Sequence, residues 1–232
     1  MPRIGKVSSL WNRAKLYKQT AEDWMVGATE CCVCHGSGSA ATGLCYGCYA
    51  DLPTRAARLK RSIDGVDAAW VAFRYEFPVT EIIQAAKFHR DLSALAVLAS
   101  GFTAEFAAPV GTMDMLVPVP LLPWRFMQRG FNQARELAER LSEVSGVPLR
   151  EDVVTRRHFW GRAQSRLDAA SRRANMTTAF KVKRDLSGLR IVIVDDVITT
   201  GATCAALARV LRAAGAAQVF VVAAAATPRH HD

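Results

Sequence analysis

Residues Ile191 to Thr203 read Ile-Val-Ile-Val-Asp-Asp-Val-Ile-Thr-Thr-Gly-Ala-Thr. The first four are apolar and β-branched, the composition of a short strand buried on both faces. Asp195 and Asp196 follow at its C-terminal end, then a loop of hydroxyls with one glycine. Cys204 to Ala214, rich in Ala, Leu and Arg, reads as a helix. Ligands of open α/β sheets bind beyond the carboxyl ends of strands. A helix entered through Thr199, Thr200, Gly201, Ala202 and Thr203 offers a phosphate free backbone N–H groups and a positive dipole end. Gly201 lets the backbone approach without a Cβ in the way. The carboxylate pair suits hydroxyl groups or a hydrated Mg²⁺. A phosphate beside vicinal hydroxyls is a 5-phosphoribosyl group. The plainer reading, acids that merely cap the next helix, does not account for the whole block in this order.

A second block strengthens the first. Val117-Pro118-Val119-Pro120 ends a strand, since two prolines stop the ladder and stiffen the turn. Arg125 follows, then Arg129-Gly130-Phe131-Asn132-Gln133 at the start of a helix. Arg129 and Gly130 stand where a guanidinium and backbone donors can hold a second anion. Two anion cradles at strand ends in one sheet match a substrate with a phosphate and a pyrophosphate.

The pattern around these blocks alternates strand and helix, which implies parallel βαβ units. Strands are expected at Ala68–Tyr75, Met113–Val117, Val153–Arg156, Ile191–Val194 and Val219–Ala226. Helices are expected at Glu81–Phe88, Leu92–Phe106, Phe131–Ser145 and Cys204–Ala214. The basic stretch Arg55–Arg61 reads as a helical linker. Residues 1–30 form a helical lead-in, 31–62 a small module with its linker, and 63–232 the main domain.

At 232 residues with a net charge of +9, the chain can bury a core and favours anionic partners, phosphorylated substrates or nucleic acid. No apolar run approaches the roughly 18 residues of a membrane span, and no signal-like segment follows Arg3 and Lys6. The expectation is a cytoplasmic protein without membrane insertion. Five of the six cysteines lie between Cys31 and Cys48. Cys31-x-x-Cys34 and Cys45-x-x-Cys48 each aim two sulfurs at one ion, and four thiolates complete a tetrahedral structural Zn²⁺ site. Cys32 and His35 are competing ligands. Cys204 reads as a small core residue.

The Asp-Asp-Val-Ile-Thr-Thr-Gly block resembles the motif with which type I phosphoribosyltransferases bind phosphoribosyl pyrophosphate (PRPP). A third block, Arg156-Arg157-His158-Phe159-Trp160-Gly161-Arg162-Ala163-Gln164 followed by Leu167, Arg172 and Asn175, extends the likeness. With the Cys pairs and Arg-Gly-Phe-Asn-Gln, the chain from Cys31 almost to its end resembles the ComF family, which is linked to natural competence and DNA uptake. The resemblance implies a type I phosphoribosyltransferase-like α/β sheet with an N-terminal four-cysteine zinc module. It implies that Asp195 and Asp196 engage ribose hydroxyls and metal, with Mg²⁺ accompanying PRPP. Thr199, Thr200, Gly201, Ala202 and Thr203 would hold the 5-phosphate. Val119, Pro120, Arg125, Arg129 and Gly130 would lie at the pyrophosphate side, and Gln164 and Arg172 on a closing loop. The chain departs from the family at Gly161, where a Thr is expected three residues before the Gln.

Two functions follow. One is transfer of the phosphoribosyl group from PRPP to an acceptor the sequence does not name, with residues 157–180 as lid. The other is a non-catalytic scaffold that senses PRPP or binds single-stranded DNA for the uptake machinery. Arg156, Arg157, Arg162, Arg166, Arg172 and Arg173, interleaved with Phe159 and Trp160, have the composition for the second.

Overall fold

The chain is described by a computed structural model over residues 28–39, 43–52, 54–88, 92–156 and 179–228. The elements in chain order begin with β1 (Ala28–Glu30), β2 (Ser37–Ser39), α1 (Tyr46–Ala50), β3 (Thr54–Arg58) and β4 (Ala68–Arg74). Helices α2 (Val79–Phe88) and α3 (Leu92–Val110) lead to β5 (Met115–Pro118), α4 (Pro123–Arg129) and α5 (Gln133–Ser145). Then come β6 (Val154–Arg156), β7 (Phe180–Val182), β8 (Arg190–Ile198), α6 (Ala202–Ala213) and β9 (Gln218–Ala226).

Five strands form one sheet in the order β3-β4-β9-β8-β5. β4, β9, β8 and β5 are parallel, and β3 closes the edge antiparallel to β4. The apolar run of β8 is buried on both faces, as a parallel sheet under two helical layers requires. Val192 and Val194 enter the core built with Ile82, Phe102, Leu137 and Leu141 of α2, α3 and α5. Ile191 and Ile193 enter the opposite core, with Leu207 and Leu211 of α6 and Phe180 of β7. This is the period-two alternation of a strand with both neighbours apolar. Burying each such side chain contributes about 1.5–3 kcal/mol. Cys31, Leu44 and Cys48 belong to the first core, so the N-terminal module packs against the body of the protein.

Several expectations change. Arg55–Arg61 is not a helical linker: Thr54–Arg58 is the edge strand β3, because pairing with β4 outweighs the helix propensity of an Ala/Arg run. Val153–Arg156 does not join the parallel sheet; β6 pairs antiparallel with β7 in a separate ribbon. β8 does not end before the acids but continues to Ile198, held by its register with β9 through Ala226. A short helix, α4, stands between β5 and α5. The helical lead-in (apart from its last residues) and the Arg-rich segment with Phe159, Trp160, Gly161, Gln164, Arg166 and Arg172 lie outside the described residues. Among the described residues no helix is long and apolar enough to cross a membrane.

Candidate functional site

Asp195 and Asp196 sit near the end of the β8 ladder, Asp195 in register with Ala223 of β9. Because neighbouring residues of a strand face opposite ways, the two carboxyls meet different surroundings. Asp195 Oδ1 accepts the backbone N–H of Asp196 at 2.9 Å, and its Oδ2 accepts the Cys204 thiol at 3.5 Å. Asp196 Oδ1 accepts the backbone N–H of Val197 at 2.7 Å. Its Oδ2 meets Lys87 Nζ at 2.7 Å, and the two side chains are only 18% and 19% exposed. Lys87 lies in the last turn of α2, whose Ile82, Ile83 and Ala86 are buried. Burial, then the neighbouring charge of Asp196, pushes the Asp195 carboxyl up to about 8. Cys204 is buried and its thiol is raised too, by burial first and by Asp195 second.

The turn after β8 is shaped from outside itself. Gly201 has φ 78° and ψ 0°, a left-handed conformation at the N-cap of α6. A Cβ there would lie 3.2 Å from Ile63 Cγ1, so this glycine also permits close contact. Thr200 Oγ1 accepts the backbone N–H of Ala202 at 3.3 Å. Arg61 Nη2 donates to the carbonyls of Ile198 at 3.1 Å and Thr199 at 2.7 Å. Its Nη1 donates to the carbonyl of Thr227 at 3.3 Å. The segment between β3 and β4 therefore straps the phosphate-loop candidate to the end of β9.

The second cradle is organised by backbone oxygens. Val119 N–H donates to Val194 C=O at 2.9 Å, which fastens the end of β5 to β8. Val119 C=O accepts Asn132 Nδ2 at 3.1 Å, and Pro120 C=O accepts Arg156 Nη1 at 3.0 Å. Arg156 also lies 5.3 Å over the Phe180 ring. Burial lowers the pKa of Arg129 and Arg156, while Asp196 opposes this for Arg129 and Asp195 for Arg156. Both guanidinium groups thus act on the acid pair. Arg129 Nη1 donates to Gln133 Oε1 at 3.3 Å, and Gly130 ends α4 with φ 84°. Gln133 is 3% exposed, and its Nε2 has no hydrogen-bond partner among the described residues. Arg125 stacks 5.2 Å from the Trp124 ring centre.

The Cys31, Cys34, Cys45 and Cys48 sulfurs all lie within 4.8 Å of one another, a cluster that could hold a metal ion such as zinc. His35 instead turns its Nδ1 to Glu30 Oε1 at 2.7 Å, and Cys32 is not in the cluster. Burial works against ionisation of Cys31, but the backbone bonds to its sulfur outweigh it and take the thiol down to about 6. Burial drives Cys48 the other way. The acid pair differs. Each of its four oxygens already accepts a donor, one of them a cation, so it does not fit direct ligation of Mg²⁺.

Residues 127–231 match the family described as Phosphoribosyl transferase domain. DNA utilization protein YhgH of Salmonella typhi is 34% identical over 152 residues, which cover 63% of this chain and 66% of that protein. Competence protein F of Haemophilus influenzae is 32% identical over 160 residues, 63% of this chain and 67% of that one. The chain belongs to the ComF family. It spans about two thirds of the length of these relatives. Among solved structures, a purine phosphoribosyltransferase from Pyrococcus horikoshii Ot3 aligns with a TM-score of 0.37 at 19% identity, over 56% of this chain and 73% of that one. That likeness is too loose to carry weight.

In this ComF-family chain, the residues named from sequence in β8, the following turn, β5 and α4 do gather at one end of the sheet. Four further members of the candidate site were given no site role from sequence: Lys87, Arg61, Gln133 and the Asp195 partner Cys204. Arg156 was read only as part of an Arg-rich stretch. Lys87 carried a faint signal, as the cation in the last turn of its helix. Arg61 carried none, because the backbone carbonyls of Ile198, Thr199 and Thr227 that it meets are far along the chain, and Cys204 carried none because its bond to Asp195 depends on how α6 packs on β8.

Proposed function

We propose that this protein binds PRPP at the β8–α6 turn and transfers its phosphoribosyl group to a nucleophile, in a role connected with DNA utilisation. The observation that carries this is the acid pair on β8 directly before a left-handed glycine turn opening α6, with Arg129 and Arg156 acting on the pair from the other side. On this reading Asp195 and Asp196 take the ribose hydroxyls, and the N–H groups of the 199–203 turn take the 5-phosphate. Arg129 and Arg156 face the pyrophosphate. The bond from C1 of the ribose to the pyrophosphate oxygen breaks, its electron pair leaving with pyrophosphate, as the acceptor's lone pair bonds to C1 and its proton is lost. The guanidinium groups stabilise the charge gathering on the leaving oxygens. Asp196, paired with Lys87 in the free protein, favours the cationic ring. No step passes through a metal at the acid pair. In the N-terminal module, Cys31, Cys34, Cys45 and Cys48 would hold Zn²⁺, which would supply the stability that so short a segment lacks.

Calorimetry with PRPP and Mg²⁺, followed by assay of pyrophosphate release against bases, amines and single-stranded DNA, tests the reading. Wild-type protein is expected to bind PRPP, and Asp195→Asn with Asp196→Asn to bind it about a hundredfold more weakly, from the loss of the acid pair's hydrogen bonds to the ribose hydroxyls. Titration heat from wild type equal to buffer dilution would refute it. The relatives' names, Competence protein F and DNA utilization protein, support a role connected with DNA uptake or utilisation. A second reading, a non-catalytic single-stranded DNA-binding scaffold, is favoured by α4 itself. Its Trp124, Phe126 and Met127 are 57%, 50% and 81% exposed beside Arg125, a surface on which bases can stack. Pyrophosphate release with any acceptor excludes that reading in its non-catalytic form.

A further inference from the structure

We infer that Lys87 is the resident cation of the acid pair and keeps free divalent metal off it, so that metal enters this site only together with a phosphorylated ligand. The first half stands on geometry alone; the second rests on the phosphoribosyl reading. Two adjacent, half-buried carboxylates are the kind of group that gathers Mg²⁺ or Mn²⁺. Here Lys87 Nζ lies 2.7 Å from Asp196 Oδ2, and both side chains are more than four-fifths hidden from solvent. The buried residues Ile82, Ile83 and Ala86 anchor the helix that presents it, so the ammonium does not swing away without cost. The other three oxygens are filled by the backbone N–H groups of Asp196 and Val197 and by the Cys204 thiol.

The remaining charges that act on the pair also disfavour a bare cation. Arg129 from the end of α4 and Arg156 from β6 act on Asp196 and Asp195 respectively. Three cations therefore serve two carboxyls. A metal ion would have to break a desolvated ion pair and approach two guanidinium groups, which is unfavourable until an anion arrives to balance them. A pyrophosphate group brings that balance and its own metal ligands. Lys87 thus acts as a positioning residue: it holds the Asp196 side chain in place, and sets the order in which ligand and metal arrive.

The experiment titrates Mn²⁺ alone into full-length, zinc-loaded protein and follows free Mn²⁺ by its paramagnetic signal. Wild type is expected to bind no Mn²⁺ that Asp196→Asn removes. Lys87→Met should gain a Mn²⁺ site at least about tenfold tighter than any in wild type, from the loss of a unit charge in contact with the acid. That site should vanish in Lys87→Met with Asp196→Asn, while Lys87→Arg, which keeps the charge, should behave as wild type. Equal Mn²⁺ affinity in wild type and Lys87→Met overturns the inference. Should Lys87→Met not fold, the wild-type and Asp196→Asn pair decides: equal Mn²⁺ binding supports the role of Lys87, and loss in Asp196→Asn overturns it. PRPP calorimetry on wild type is a separate arm. No PRPP heat with the Mn²⁺ pattern intact removes the functional reading and leaves the first half of the inference standing.

Discussion

The Cys cluster and the acid pair are both gatherings of groups that carry negative charge, and they solve the problem of that charge in opposite ways. Cys31, Cys34, Cys45 and Cys48 bring four sulfurs within 4.8 Å of one another. Asp195 and Asp196 come with Lys87 in contact and Arg129 and Arg156 acting on them. The first cluster could hold a metal ion such as zinc; in the second each carboxyl oxygen already has a donor. On the proposed function, the first arrangement suits a resident ion and the second a visiting ligand.

The sharpest way to break this contrast is to empty the Cys cluster. Cys48→Ser is expected to lose bound zinc by atomic absorption and to cost on the order of 4 kcal/mol in chemical denaturation, since Cys48 is both candidate ligand and core residue. Unchanged metal content would show that the cluster is not a metal site. A smaller effect is expected at the strap. Arg61→Met removes three bonds to the carbonyls of Ile198, Thr199 and Thr227 and should weaken PRPP binding about tenfold, with zinc content unchanged. Arg61→Lys, which retains charge but not the fork, should recover part of that loss. Equal PRPP affinity in all three proteins would mean the strap does not set the turn. The smallest effect concerns pH. Asp195 is raised in the folded protein to about 8, so between about pH 4 and that value the folded state keeps a proton the unfolded chain has lost. Stability should fall as pH rises through this window. Asp195→Asn should flatten the decline, with a melting temperature a few degrees above wild type near the upper end. Parallel melting curves for the two proteins across the window would mean the acid is not held protonated.

Much of this was legible in the order of the residues. Ile191–Val194 pointed to a doubly buried strand because four successive β-branched apolar residues suit a strand covered on both faces. The Cys-x-x-Cys pairs named the four sulfurs that gather, while Cys32 and His35 stayed open as competitors until the fold turned His35 to Glu30. What failed were elements whose state depends on a neighbour. β3 is a strand only because β4 offers it an edge, and β6 left the parallel sheet for β7, which follows it 26 positions later in the ladder pairing Thr155 with Lys181. Cys204 was read as packing alone, and its buried position is right, but its bond to Asp195 depends on how α6 rests on β8.

The chain's local order therefore determined the kind of chemistry: acids, then hydroxyls and a glycine, at a strand end before a helix. Those features act over a few bonds, and their spacing is written along the chain itself. Only the tertiary structure decided the charge balance of that site. Lys87 is 109 positions from Asp196 and Arg61 is 138 from Thr199. Coulombic and hydrogen-bonding contacts depend on distance through space, and the folding of β4, α2 and β8 into one body is what makes those distances short.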